Sequence, residues 1–111
     1  MRDVSFVGSS LGDLRSWPKP ARQDVGRQID RVQKGARSDD WRPMPNVGRG
    51  VREIRVHDTG GICRNLYTTN ILDSVYVLHV FVKKSRKTPM KDIRMAKSRL
   101  KALSQHLGMD A

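Results

Sequence analysis

Four basic residues in the second half of the chain are spaced so that they could act on one phosphate group. Arg55 and Arg64 lie on two predicted strands joined by a short turn, and Lys83 and Lys84 follow the end of a third strand. If these strands are neighbours, the four side chains converge at one end of a sheet. Arginine can donate to two phosphate oxygens at once and lysine is a compact positive charge, so the set suits a phosphodiester.

RNA is the phosphodiester that such a site could cleave without a metal, because its 2′-OH is a built-in nucleophile. Cleavage then needs a base for that hydroxyl, positive charge at the phosphate and an acid for the 5′-oxygen. A lysine crowded by other cations could be the base, and His79 or a second lysine could supply the acid or base. The pattern permits catalysis without requiring it, since basic runs after strands are often solvated surface. His79 also lies among apolar residues, as core histidines do.

Arg64 is the member of this set that is hardest to explain as surface. It stands in the apolar strand "ICRNLY", and a guanidinium is costly to bury without a partner. A salt bridge to Glu53 and a role facing a ligand are both open at this point.

The net charge of +11, from 22 Lys+Arg against 11 Asp+Glu, indicates a nucleic-acid or acidic partner. Residues 83–101 contain nine basic residues and one acidic residue, so the excess is concentrated in one segment. Glu53 is the only glutamate, Cys63 is the only cysteine, and the three histidines lie far apart in sequence. We therefore expect no metal site, no two-metal nuclease and no cofactor. No apolar stretch is long enough to cross a membrane, which predicts a cytoplasmic protein with no membrane partner.

The order of predicted elements is β, α, α, β, β, β, α. Apolar positions at three- and four-residue steps predict an N-terminal helical hairpin that ends near Gly35. Residues 36–50 have no period and are predicted as a loop, and the last of the three strands that follow is expected at the sheet centre. Thr88 is expected to cap the C-terminal helix, with Pro89 as its first residue.

These elements predict one α+β domain over residues 1–111. It would consist of a small antiparallel sheet with the helical hairpin on one face and a C-terminal helix, leaving the other face at least partly free.

The segments "GVREIRVHDTGGICRNLY" and "VYVLHVFVKKSRKTPMKDIRMAKSRL" resemble the phage-derived, Gp49-like branch of the RelE/HigB toxins of bacterial toxin–antitoxin modules. The N-terminal "LGDLRSWPKPARQDVGRQIDRVQKG" is also similar to that branch. The resemblance extends from about residue 4 to about residue 104, and it implies a RelE-like fold.

The resemblance also implies an mRNA interferase, which cleaves mRNA on the ribosome without metal through attack of the 2′-OH. It implies a cognate antitoxin encoded nearby, often with a helix-turn-helix domain. By position, Arg64 matches an arginine that stabilises phosphate charge, Arg55 a basic residue that contacts RNA, and Lys83 and Lys84 a basic pair at the strand end. Further contacts to the RNA backbone are expected from four residues: Arg52, Arg86, Lys87 and Lys91.

Two alternatives use the same basic surface without cleavage. One is a non-catalytic module that binds RNA or the ribosome. The other is an inactive toxin remnant that still binds an antitoxin. The general acid and base stay unassigned, because the final helix offers only His106 near its end.

Overall fold

The chain forms one mixed sheet and three helices over the residues that the computed structural model describes, which are 1–37, 40–58, 60–83 and 88–108. The strands are β1 (Val4–Phe6), β2 (Trp41–Pro43), β3 (Val51–Asp58), β4 (Gly61–Ile71) and β5 (Ser74–Lys83). The helices are α1 (Ser10–Arg15), α2 (Lys19–Gln33) and α3 (Met90–His106). None of the helices in these residues is long and apolar enough to span a membrane.

The order of strands across the sheet is β1-β5-β4-β3-β2. The pairs β3–β4 and β4–β5 are antiparallel, as predicted. β2, which was not predicted, pairs antiparallel with β3, and β1 joins the edge beside β5 in parallel. The strand at the centre is β4, so the prediction that β5 would be central was wrong. β5 is nevertheless an inner strand, and its nearly continuous apolar sequence fits a position between two neighbours.

The two faces of the sheet carry two separate hydrophobic clusters. On one face, α2 packs Ala21, Val25 and Ile29 into a cluster with strand residues that include Ile54 and Val56. We call this side the α2 face; Leu14 of α1 also packs there. The predicted helical hairpin on one face is therefore confirmed.

The opposite side, the α3 face, is covered by the C-terminal helix. Ile93 and Ala96 of α3 pack with Leu66 of β4 and Leu78 of β5, joined by Met44 from the connection between β2 and β3. The prediction left this face at least partly free, and the apolar stripe of α3 is what covers it.

Two local predictions were wrong. Residues 41–43 form the edge strand β2 inside the predicted loop, where Trp41 pairs with Ile54. Sequence gave little sign of β2, because proline at its end is typical of a loop or of an edge strand. Thr88 does not cap α3; Pro89 occupies the N-cap position and the helix begins at Met90. The hydroxyl of Thr88 instead forms hydrogen bonds in the protein interior.

Candidate phosphodiester site

Two arginines and one glutamate meet on the α3 face near the start of β4. The Nε atom of Arg55 donates to Oε1 of Glu53 at 2.7 Å, and Nη1 of Arg64 lies 3.5 Å from Oε2 of the same carboxylate. Arg64 Nη1 also donates to the Thr88 hydroxyl at 3.1 Å, and that hydroxyl donates to Glu53 Oε2 at 3.2 Å. We call these four residues the arginine cluster.

Strand pairing explains why these side chains meet. Arg55 and Arg64 are directly opposite each other in the β3–β4 register, so their side chains leave the sheet on the same face. Glu53 lies two residues before Arg55 on β3, which returns it to that face by the two-residue period of a strand. Thr88 reaches the cluster from the segment that precedes α3.

Burial differs sharply within the cluster. Glu53 and Arg64 are 0 % exposed, whereas the side chain of Arg55 keeps 14 % of its surface exposed. The three charged side chains carry two positive charges and one negative charge, which leaves a formal excess of +1. Among the residues that the structure describes, no acceptor binds Nη2 of Arg55, although that atom is buried. An unpaired buried donor costs about 1–3 kcal/mol, so an acceptor that reached Nη2 would be stabilising. Because Nη2 is buried, the residues over it would have to move to admit that acceptor.

The structure thus brings together two of the four predicted catalytic residues, Arg55 and Arg64. For Arg64 it shows the salt bridge to Glu53, which was one of the two alternatives open from sequence. Direct contact between Arg64 and a substrate would require the residues that cover it to move. Its contact with phosphate therefore stays a prediction.

Lys83 ends β5 on the same face of the sheet. Phe81 pairs with Arg64, and Lys83 lies two residues further along, opposite Ile62. Its side chain is half-buried. Lys83 is therefore placed one pleat beyond the arginine pair, as expected of a residue that extends the positive surface. Lys84, Arg86 and Lys87 lie outside the described residues, and their predicted roles stay predictions.

The two remaining residues predicted to contact RNA are Arg52 and Lys91, and neither belongs to the arginine cluster. Arg52 is on the α2 face of β3, and its guanidinium stacks over the Trp41 ring at 4.6 Å from the centroid. Lys91 is exposed in the first turn of α3. Arg52 consequently cannot bind the same phosphate as Arg55 without a substrate that wraps around the sheet edge.

His79 lies in a second polar cluster on the α3 face. Its Nε2 is 2.7 Å from Oδ1 of Asp92, and its Nδ1 is 3.3 Å from Nη1 of Arg99. Arg99 also donates to the Leu78 carbonyl at 3.0 Å and to the Ser9 hydroxyl at 2.9 Å. We call His79, Asp92, Arg99 and Ser9 the histidine cluster.

The hydrogen bonds of the histidine cluster define the tautomer of His79. A guanidinium can only donate, so Nδ1 must be the acceptor, and the ring proton is then on Nε2, where it is donated to Asp92. Both nitrogens are occupied and the residue is 8 % exposed, with its ring stacked on Phe81. This arrangement favours a structural role, and the acid or base role of His79 stays a prediction.

Neither a thiol nucleophile nor a metal centre is found in the described residues. Cys63 points to the α2 face, and burial, followed by the charge of Asp58, raises the pKa of its thiol. A raised pKa keeps the thiol neutral and unreactive. No group of three or more His, Cys, Asp or Glu side chains in these residues could hold a metal ion.

Sequence reasoning missed Thr88, Asp92 and Arg99 as members of buried polar networks. Asp92 and Arg99 fall on the same helix seven residues apart, that is, on one face of α3. The sequence offered one signal for these two residues. Asp92 directly precedes Ile93 of the apolar stripe, so the face that carries Asp92 and Arg99 borders the buried side of the helix.

Comparison with known proteins identifies the fold and the family of this chain. The crystal structure of the isolated E. coli RelE toxin matches with a TM-score of 0.57 at 17% sequence identity, covering 96% of this chain and 99% of RelE. The fold is therefore the RelE-like α+β fold. The family model described as "Phage derived protein Gp49-like (DUF891)" matches residues 12–101, and the chain belongs to that family. No curated protein matches the sequence significantly. The resemblance seen in the sequence is thus confirmed.

Proposed function

We propose that this protein is the toxin of a type II toxin–antitoxin module and that it cleaves mRNA on the ribosome without a metal ion. Membership of the Gp49-like family and the RelE-like fold support the toxin assignment. The observation that carries the cleavage proposal is the Arg55 guanidinium, which is anchored at Nε and has an unpaired donor at Nη2. Such a protein would act in the cytoplasm, where its substrate is.

Arg55 is the residue that we assign to the scissile phosphate. Its bond to Glu53 fixes the plane of the guanidinium, so the remaining donors are held in place before substrate binds. Donors that are already oriented need no reorganisation as charge develops on the phosphate, which is why they stabilise a transition state effectively. Lys83, one pleat away, would add positive charge along the RNA backbone.

Arg64 supports Arg55 from beneath in this proposal. It contacts both Glu53 and Thr88, and so it holds the carboxylate that orients Arg55. Its own charge adds to the positive potential at the phosphate, because the interior screens charge less than water does. If substrate binding moves the residues that cover Arg64, its guanidinium would also contact the phosphate directly.

The proton transfers are assigned to lysine. In this proposal a lysine amine accepts the proton of the 2′-OH, and a lysine ammonium gives a proton to the 5′-oxygen that leaves. Lys83, which ends β5 one pleat beyond Arg64, is one candidate. Lys84 is the other by its position in the sequence, and it lies outside the described residues. The partner that controls the toxin would be an antitoxin encoded nearby.

Induction in bacteria, followed by mapping of mRNA 5′ ends, tests this proposal. We expect the wild type to arrest growth and to create new 5′ ends within translated mRNA. Arg55→Ala should lower the cleavage rate by about 100-fold, the usual effect of losing one oriented donor. Arg22→Ala is the matched control, because Arg22 is exposed on α2, on the opposite side of the sheet.

The possible failures are distinct. Absence of growth arrest from the wild type would contradict the toxin assignment. Undiminished cleavage by Arg55→Ala would contradict the assignment of the site alone.

A non-catalytic module that binds RNA or the ribosome is the second candidate. It is favoured by the full burial of Arg64 and by the occupation of both His79 nitrogens, since neither is then an accessible catalytic group. This candidate predicts growth arrest without new 5′ ends, so the same experiment separates the two functions.

A further inference from the structure

His57 and Asp40 form a hydrogen-bonded pair beside Arg55. The Nε2 atom of His57 lies 3.1 Å from Oδ2 of Asp40, and the two side chains are 68% and 47% exposed. The main chain explains the pair, because the amide of Arg55 donates to the Asp40 carbonyl and extends the β2–β3 ladder by one residue. Asp40 is therefore opposite Arg55, and His57 is its diagonal neighbour. A solvent-exposed imidazole that is held by a carboxylate is an arrangement typical of a general base.

The strand register places His57 and a lysine on opposite sides of one position. His57 is two residues after Arg55 on β3, so it projects on the same α3 face. It pairs with Ile62 of β4, and Ile62 pairs in turn with Lys83 of β5. The three residues thus form one row across three strands, and the backbones of the histidine and the lysine are roughly 10 Å apart. Ile62 is half-buried, so part of its side chain faces solvent between them.

We infer that His57 is the general base for the 2′-OH, that Lys83 is the general acid for the 5′-oxygen, and that Asp40 positions His57. The inference rests on the proposed function, in which lysine makes both proton transfers; here His57 takes the first, and Lys83 keeps the second. A phosphodiester above Ile62 would have its attacking oxygen on one side and its leaving oxygen on the other, as an in-line displacement requires. Arg55, one pleat away, would contact the phosphate oxygens between them.

Asp40 determines which nitrogen of His57 reacts. An ionised carboxylate only accepts, so the proton of the neutral ring is on Nε2, and Nδ1 keeps a lone pair. Among the described residues, no other group is bonded to this ring. Nδ1 takes the 2′-OH proton as the 2′-oxygen bonds to phosphorus, the bond from phosphorus to the 5′-oxygen breaks, and Nζ of Lys83 protonates that oxygen. The products are a 2′,3′-cyclic phosphate and a 5′-hydroxyl, and exchange with water then restores both side chains.

Single-turnover cleavage on ribosomes that carry a synthetic mRNA tests the inference. One mRNA is unmodified, and in the other sulfur replaces the 5′-oxygen at the position where the wild type cleaves. Because sulfur leaves as a thiolate and needs no acid, the second mRNA reports on the base alone. His57→Ala should slow the cleavage of both by about 100-fold or more. His57→Gln, which can still donate to Asp40 but is not basic, should be equally slow. Lys83→Ala should slow only the unmodified mRNA.

Asp40→Ala distinguishes positioning from electrostatic effects, because the two predict opposite signs. If the charge of Asp40 were its only contribution, its removal would tighten RNA binding and raise kcat/KM. Loss of the bond that orients His57 should instead lower kcat by at least about tenfold without raising KM. His106→Ala, at an exposed position in the last turn of α3, is the matched control and should cleave as the wild type does. Exposed pairs add little stability, so the midpoint of urea unfolding should be unchanged in the Asp40 and His57 variants.

Distinct results would overturn the inference. Cleavage by His57→Ala or His57→Gln at the wild-type rate would exclude His57 as the base. Recovery of His57→Ala on the sulfur-containing mRNA would make His57 the acid, and failure of Lys83→Ala to recover there would exclude Lys83 from that role. A rise of kcat/KM in Asp40→Ala would exclude positioning. Absence of cleavage by the wild type would contradict the proposed function itself, so the two failures are distinguishable.

Discussion

The arginine cluster and the histidine cluster lie on the same face of the sheet, and both are covered by the segment that leads into α3 or by α3 itself. They differ in how completely their polar groups are satisfied. In the histidine cluster, one positive side chain, Arg99, is matched by one negative side chain, Asp92, and both nitrogens of His79 are bonded. In the arginine cluster, two guanidiniums face one carboxylate, and Nη2 of Arg55 has no acceptor among the described residues.

This difference distinguishes a network that only stabilises the fold from a cluster that could also bind a ligand. Arg99 joins the Leu78 carbonyl of β5 to the hydroxyl of Ser9 before α1, and thereby holds three parts of the chain together. Nothing in that network needs a ligand. An excess of positive charge with an unpaired donor is costly to the fold alone, and an anion would remove the cost. The histidine cluster is therefore expected to stabilise the fold, and the unsatisfied donor of the arginine cluster supports the proposal that it binds phosphate.

The largest expected effect is the loss of stability in Glu53→Gln. The substitution keeps the shape of the side chain but removes the negative charge that faces both arginines in the interior. Breaking a buried ion pair in this way costs about 3–5 kcal/mol. Urea unfolding followed by circular dichroism measures the change.

Asp30→Asn is the matched control for Glu53→Gln. Asp30 pairs with Lys34 on the surface of α2, where both side chains are at least half exposed, and we expect a loss below about 0.5 kcal/mol. Similar losses in the two variants would show that the carboxylate of the arginine cluster is no more important than a surface charge.

The second effect concerns the histidine cluster. Arg99→Leu keeps an aliphatic chain but removes the donors to the Leu78 carbonyl, to Nδ1 of His79 and to the exposed Ser9 hydroxyl. Water can replace the donor at Ser9, but the Leu78 carbonyl and Nδ1 of His79 are left unsatisfied, and we expect a loss of about 2–3 kcal/mol. The nitrogen chemical shifts of the imidazole ring should change as well, because the bond that selects the tautomer is gone.

Arg94→Leu, at an exposed position of the same helix, should change stability by less than about 0.5 kcal/mol. Unchanged imidazole shifts in Arg99→Leu would contradict the tautomer derived for His79.

A third, smaller effect tests the contact that sequence reasoning missed. Thr88→Val replaces the hydroxyl by a methyl group of similar size, so Arg64 loses an acceptor and Glu53 loses a donor. The expected loss is about 1–2 kcal/mol. Thr88→Ser retains the hydroxyl and should recover most of it. Equal stability of the valine and serine variants would place Thr88 outside the network.

Much of the arginine cluster could be predicted because it depends on local rules. The alternation in "GVREIRVH" puts Glu53 and Arg55 on one side of β3, and the short turn after it pairs β3 with β4. The convergence of Arg55 and Arg64 follows from those two facts alone. The prediction of one α+β fold with a helical hairpin rested on equally local periodicity.

What sequence could not supply depends on contacts between distant segments. Thr88 meets Glu53 across 35 residues, and nothing in the residues around Thr88 distinguishes that role from a helix cap. The register of β4 and β5 also shifts between Leu66 and Tyr67, which changes the side-chain alternation in a way that strand patterns do not show. The burial of Arg64 could not be predicted either, because it depends on the assembled sheet and on the segment before α3 that packs over it.

Arg55→Met should have the smallest effect on stability and still separate the two clusters by function. The variant loses the bond from Nε to Glu53, worth about 1.5–3 kcal/mol, but it also removes the unpaired Nη2 donor, whose burial costs about 1–3 kcal/mol. These terms nearly cancel, so we expect stability within about 1 kcal/mol of the wild type.

RNA affinity of Arg55→Met should fall, and the slope of log affinity against log salt should drop by about 1, as for the loss of one phosphate contact. Lys19→Met, on the other side of the sheet, should leave the slope unchanged. If instead Arg55→Met lost as much stability as Arg99→Leu and left RNA binding intact, Arg55 would have a purely structural role, as Arg99 does.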